Sequence, residues 1–518
     1  MIARVHSAGV VGVDGFGVDV ECEVAGGLNS FEVVGLPETA VKESRTRVRA
    51  AMTASGLKFP TRRITVNLAP ADIPKRGTVY DLPLALAILA GDRTIKPGRL
   101  EKTLAVGELS LGGEVRPVPG VLAMALAARE QGLEYVMAPA ANAAEAAAVP
   151  GVTAIPVKIL AEAVDWLRGT IEIDPPTVDE ATDIDCGLDD IDMRDVRGQE
   201  MAKRALIIAA AGGHNVLMIG PPGSGKTMLA RRLPGILPAM GMEERLEATK
   251  IHSVCGLLPR DAGLVPSRPF RAPHHTTSHV ALVGGGSIPR PGEVSLAHNG
   301  VLFLDELPEF PRQALESLRQ PLEDRIVHIS RARAVCVFPA RFTLVAAANP
   351  CPCGHRGSER NRCTCSPEQV RRYMGRISGP LLDRIDLHVP LHGVAFDALE
   401  AKAGGEDTAT LRARVEAARA LQRDRLEGTD VTCNAFMPPA MVRKTARPTA
   451  AALELLRRVF DERGLSARSY DRILKVARTI ADLEGAETLG IPHVAEAVRY
   501  RELDRILDSG GDGGGALR

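Results

Sequence analysis

The chain is 518 residues long, 45% hydrophobic and 25% charged, which points to a soluble globular protein of roughly two to four domains rather than a single core. Lys plus Arg and Asp plus Glu both total 64, so overall charge predicts neither a nucleic-acid binder nor a membrane-surface binder, and any basic patch must be local. Aromatics at 3%, with Trp166 the lone tryptophan, argue against a surface built from stacked bases. No stretch reads as a leader or is long enough to span a membrane, and nine cysteines, five of them scattered singly, suit a reducing cytoplasm better than a disulfide framework.

In chain order, VGVDGFGVDVECEV (11–24) alternates and predicts a strand, VKESRTRVRAAM (41–52) a helix, RRITVNLAP (62–70) a strand and DLPLALAILAG (81–91) a helix. LAVGELSLGGEVRPV (104–118) reads as a hairpin, followed by Ala-rich helices with short strands between. These patterns define an α/β domain over 1–170. Residues 171–190 hold eight acidic residues and no Lys or Arg, with Pro175 and Pro176 adjacent, and read as an exposed linker. A second α/β region is expected over 191–395, with a cysteine insertion at 351–365. A helical domain is expected over 396–508, as in AALELLRRVFDERG and SYDRILKVARTIADLEG, and a disordered Gly-rich tail over 509–518.

The strongest chemical signal is NVLMIGPPGSGKTMLARRL. An apolar strand at 216–219 runs into Gly220, Pro221, Pro222, Gly223, Ser224, Gly225, Lys226, Thr227 and Met228, and a helix follows. Glycines let successive backbone N–H groups point at phosphates, Lys226 supplies a charge for the β and γ oxygens, and Thr227 can ligate Mg²⁺. GVLFLDELPEF is a second buried strand ending in Asp305, suited to hold Mg²⁺ through water, and Glu306, suited to polarise an attacking water. An acidic pair alone could merely open a helix; the upstream loop gives it weight. A third apolar strand, FTLVAAANP, ends at Asn349, which can orient the water or touch the γ-phosphate, or can simply cap a turn before Pro350.

Cys351, Cys353, Cys363 and Cys365 follow at once. Alternating residues of an extended segment face one way, so each Cys-x-Cys presents two sulfurs together, and Gly354 and Gly357 let the loop fold back. Four thiolates form a closed site suited to structural Zn²⁺; unliganded thiols, or His355 in place of one sulfur, remain alternatives. His275 and His279 stand four apart, but Gly and Pro crowd the following stretch and no carboxylate is near in sequence, which weighs against a metal pair there.

GPPGSGKT, LFLDE, AAANP and GPLLDRIDLHV together resemble the AAA+ ATPases, in the branch of the magnesium-chelatase ATPase subunits and MCM helicases. VVGLPETAVKESRTRVRAA, VNLAPADIPKRGTVYDLPLALAIL, FRAPHHTTS and NPCPCG narrow the resemblance to the bacterial ComM/YifB family, over nearly the whole chain. That resemblance implies a hexameric ring with ATP between neighbouring subunits. Arg384 matches the arginine finger that reaches the adjoining subunit's γ-phosphate, although it could pair with Asp383 or Asp386 instead. Arg468 resembles the sensor-2 arginine of a helical lid, with Arg472 as rival, and Gln199 the segment that cradles adenine. DRIVHISRARAVCVFPARF (324–342) reads as two β arms around a basic turn, and the resemblance implies that this hairpin, with Arg331 and Arg333, projects into the ring pore and grips DNA phosphates. RAPHHTTSHVALVGGGSIPRPG would be a second pore-side insertion.

The N-terminal LAPADIPKRG and VGELSLGGEVRPVPG resemble the proteolytic domain of the Lon family. Thr78 and Val79 stand where its serine belongs, Val121 and Leu122 where its lysine belongs, so no peptidase activity is expected. The expected function is a cytoplasmic, homohexameric, ATP- and Mg²⁺-dependent DNA motor promoting branch migration or strand exchange during integration of incoming DNA. The alternative is a magnesium chelatase-type ATPase that remodels a protein partner. A scaffold with vestigial nucleotide binding fits poorly, since Lys226, Thr227, Asp305, Glu306 and Arg384 are all present.

Overall fold

The chain folds into two units, each built on a β-sheet with helices packed against it. A computed structural model describes residues 2–177, 191–259, 262–331, 334–357, 361–393, 405–463 and 465–501. Residues 178–190 of the acidic linker, Arg333 and the Gly-rich tail lie outside the described residues.

The first unit takes in the chain up to Thr182 together with Met242–Pro266. Its seven-stranded sheet runs in the order Ser30–Val34, Arg63–Ala69, Asp14–Ala25, Ile2–Val11, Thr103–Ala105, Tyr135–Pro139, Thr153–Val157. Of the alternating stretch 11–24, residues 14–24 lie in one strand as expected, and only Val11 belongs to the strand before it. Gly12, at φ 67°, turns the chain, and Val11 pairs back on Asp14 in a tight antiparallel hairpin. Helix Asp81–Gly91 is buried along almost its whole length. Its one carboxylate, Asp81, is met by Arg47 at 2.6 Å and by the Ser44 hydroxyl, so the buried charge is paired. Helix Met242–Val254 packs here too, with Gly120 N–H on the Ser253 carbonyl at 3.1 Å and Lys250 on Asp14 at 2.7 Å. The boundaries read from sequence assign this helix to the ATPase region.

The second unit holds a five-stranded parallel sheet in the order Phe270–Arg271, Val301–Leu304, Thr343–Ala348, Val216–Ile219, Leu387–Pro390. Helix Glu200–Gly212 covers it and also packs against the helical region through Thr408–Leu426 and Ala467–Leu483. Two excursions leave the sheet. One forms the short pair Gly284–Gly285 with Arg290–Pro291; the other is the hairpin Ile326–Arg331 with Ala334–Pro339. In the helical region Asp482, fully buried, is held by Arg425, by Arg478 and by Asn434 Nδ2 at 2.8 Å.

Candidate nucleotide site

Three strands in register end at one edge of the second sheet. Ile219 pairs with Ala348, and Leu304 with Ala346, so the residues that follow each strand meet there. Gly223 and Gly225 adopt φ 76° and 88°, left-handed values that a side chain resists, and they wrap the loop around Lys226. At Gly220 an added Cβ would lie 2.7 Å from the Leu391 carbonyl oxygen, so that position has no room for a side chain.

Lys226 is largely buried. Its ammonium donates to the Gly220 carbonyl at 2.6 Å, the Pro221 carbonyl at 2.9 Å and Asn349 Oδ1 at 3.2 Å. Burial pulls its pKa down, while the carboxylates of Asp305 and Glu306 push it back up. Thr227 Oγ1 donates to Asp305 Oδ2 at 2.8 Å, which brings together the hydroxyl and carboxylate suited to Mg²⁺. Ser224 Oγ is buried with no hydrogen-bond partner, as expected of a group built to meet a phosphate oxygen. The loop therefore fits a nucleoside triphosphate and its metal. Gln199, at φ 57°, donates from Nε2 to the His392 carbonyl at 2.6 Å and to Ser224 O at 3.2 Å, which sets it beside the loop.

Two contacts here were not legible in sequence. His275 Nδ1 lies 3.1 Å from Glu306 Oε2, so the carboxylate missing from its sequence neighbourhood arrives from another strand. Tyr373 accepts a hydrogen bond from the Asn349 backbone N–H; burial, with Glu309 and Glu306 nearby, pushes its pKa up to about 12. His279 joins no metal-type cluster among the described residues.

Arg384 sits at the opposite edge. Asn215, just before strand Val216–Ile219, accepts from Asp386 N–H at 3.1 Å and donates from Nδ2 to the Arg384 carbonyl at 3.1 Å. A four-residue strand, about 13 Å long, therefore separates Arg384 from the loop of its own chain. Its guanidinium meets neither Asp383 nor Asp386; it pairs with Glu323 and donates to the Pro380 carbonyl at 2.7 Å. Arg468, exposed at the start of its helix, and Arg472 both bear electrostatically on Glu323, so they belong to this edge too. Arg472 is engaged with Asp386 at 2.6 Å. Burial opposes the charge on Asp386, but Arg472, His214 and Lys475 outweigh it and hold the carboxyl well below the usual carboxylate range.

The four sulfurs of Cys351, Cys353, Cys363 and Cys365 all lie within 4.8 Å of one another. Cys351 is 3.3 Å from Cys353 and 3.7 Å from Cys363, and Cys353 is 3.7 Å from Cys363. Ligands 2.3 Å from a tetrahedral zinc would stand about 3.8 Å apart, so the set fits that ion without His355. Backbone N–H groups of His355 and Thr364 pull Cys353 down to about 5, while burial pushes Cys351 up to about 12. In the hairpin, Val327, Ile329, Cys336 and Phe338 face inward, while His328, Ser330 and Arg331 are exposed. A Cβ at Gly285 would lie 3.6 Å from Arg331 Nη2, so the two excursions from the sheet run side by side.

In the first unit, Thr78 Oγ1 donates to Glu108 and the buried Lys75 ammonium donates to the Pro70 carbonyl, so the two groups take separate partners.

Residues 192–399 match the family described as magnesium chelatase, subunit ChlI; residues 20–142 match subunit ChlI of Mg-chelatase, and 405–501 its C-terminal region. The uncharacterized protein YifB of Escherichia coli is 44% identical over 514 residues, covering 98% of each chain. Competence protein ComM of Haemophilus influenzae is 44% identical over 511 residues, again 98% of each. Partial likenesses are DNA helicase MCM8 of Rattus norvegicus, 24% identical over 37% of this chain and 21% of its own, and Lon protease 2 of Bacillus subtilis, 30% identical over 27% of this chain and 26% of its own.

Proposed function

The chain belongs to the ComM/YifB family of magnesium chelatase-like AAA+ ATPases, and from that premise we propose that it is a hexameric, ATP-driven motor on branched or single-stranded DNA. Its task would be branch migration or strand exchange as incoming DNA is integrated. The observation that carries the reading is the division of the site. Lys226, Thr227, Asp305, Glu306 and Asn349 share one edge of the sheet, whereas Arg384 and Arg468 share the other. A second copy would bring the missing cations to the nucleotide, which makes turnover depend on assembly.

In this reading the backbone from Gly220 to Met228 cradles the phosphates, and Lys226 turns from its carbonyl partners to the β and γ oxygens. Thr227 and Asp305 hold Mg²⁺, which when bound draws charge off the phosphate oxygens. Glu306 takes a proton from the attacking water and Asn349 orients that water. Arg384 of the neighbouring subunit, released from Glu323, stabilises the charge that develops on the γ-phosphate. The exposed Arg331, repeated around a ring, grips phosphates without reading bases, and the names of two relatives, a competence protein and, over part of the chain, a DNA helicase, support a role with DNA. Zn²⁺ on the four cysteines would staple the loop that follows Asn349.

Branch migration on three- and four-strand junctions tests the proposal. Wild-type protein should move strands with ATP, Lys226→Ala should not, and Arg331→Ala should keep basal ATP turnover while losing its stimulation by DNA. ATP turnover that DNA never stimulates, together with no strand movement, would favour the chelatase-type remodeller.

A further inference from the structure

Resting on the zinc reading above, we infer that the cysteine clip and the phosphate-binding loop form one coupled element, in which zinc on the four sulfurs and nucleotide on the loop each strengthen the other's binding. Gly354 lies between Cys353 and His355 with φ 80°. A Cβ at that position would stand 2.7 Å from Pro222 Cδ and 2.8 Å from Pro222 Cγ, so the backbone of the clip rests directly on a proline ring of the phosphate-binding loop. A proline ring cannot rotate away as a long side chain could, and the two loops must shift together.

The same turn builds the sulfur cluster. Gly354 N–H donates to the Cys351 carbonyl at 2.9 Å, and the tight turn brings the Cys351 and Cys353 sulfurs to 3.3 Å. Cys351 is fully buried, two residues beyond Asn349, whose Oδ1 accepts from Lys226 at 3.2 Å. The clip thus touches the nucleotide loop through Gly354 on Pro222, and reaches its lysine through Asn349. Metal bound by the four sulfurs holds the 351–354 turn in this shape; without it four unliganded sulfurs crowd together and the turn relaxes, taking Pro222 with it. Coupling between two binding equilibria is reciprocal, so nucleotide must tighten zinc by the factor by which zinc tightens nucleotide.

Both halves can be read on the full-length, zinc-loaded protein. Zinc affinity is measured by competition with a chromogenic chelator, with and without Mg²⁺ and ADP. Affinity for a fluorescent ADP is measured before and after zinc is stripped. The expectation is a shift of at least about fivefold in each, equal within error. Gly354→Ala, which forces a methyl group onto Pro222, should reduce the shift in any protein that still binds both ligands. Should that variant fail to fold, the effect of ADP on zinc affinity in the wild type still decides. Stoichiometric zinc whose affinity ignores ADP, with ADP affinity indifferent to zinc, overturns the inference while leaving the zinc site standing. A protein that binds no zinc removes the zinc reading itself, and the coupling with it.

Discussion

Lys226 donates to two loop carbonyls and to Asn349, all of them acceptors that a phosphate can replace. Lys226→Ala should lower ATP turnover about a hundredfold or more, by removing one preorganised charge from the transition state; steady-state phosphate release measures it. His275 presents the opposite case. Its imidazole lies 3.1 Å from Glu306 Oε2, where it competes with water for that oxygen. His275→Ala should therefore raise turnover without DNA by about two- to tenfold, the worth of one hydrogen bond, and flatten the response to DNA. An unchanged ratio of stimulated to basal rate would show that the pairing is incidental. No pattern in FRAPHHTTS announces this pairing, because its partner is 31 positions away in the chain.

At the level of elements, the register of the parallel sheet sorts the site into two edges. If the arginines act on a neighbour, Lys226→Ala and Arg384→Ala proteins should each be inactive alone, yet recover measurable turnover when mixed, since some seams then carry an intact loop facing an intact Arg384. No recovery at any mixing ratio would argue for action within one chain. The hairpin Ile326–Arg331 with Ala334–Pro339 makes a different prediction. Arg331→Ala should reduce the slope of log DNA affinity against log salt by about 1 for each phosphate that the arginine neutralises, equally for all sequences. A weakening confined to particular sequences would indicate that the arginine reads bases instead.

Across the whole second unit, the Asp386 cluster joins sheet to helices. Its pKa lies below that of the unfolded chain, so it contributes stability that is present above about pH 4 and fades as pH falls through the folded value. Asp386→Asn should cost about 3–5 kcal/mol at neutral pH, because Arg472 would stay partly buried without its counter-charge. Denaturant unfolding at pH 7 and at stepped acid pH would show a smaller acid-dependent loss in the variant than in the wild type.

Local chemistry carried much of this in linear form. Glycine spacing around Lys226, unalternating strands that end in Asp305 and Asn349, and paired cysteines each follow from rules acting within about ten residues. The α/β class followed from the same periodicities. What needed the folded chain were the relations between distant segments: Glu323 rather than Asp383 or Asp386 on Arg384, His275 on Glu306, and Gly354 on Pro222. Each depends on which strands lie side by side, a choice made by burying whole faces of sheet and helix. A residue's own neighbours in sequence hold no record of that choice.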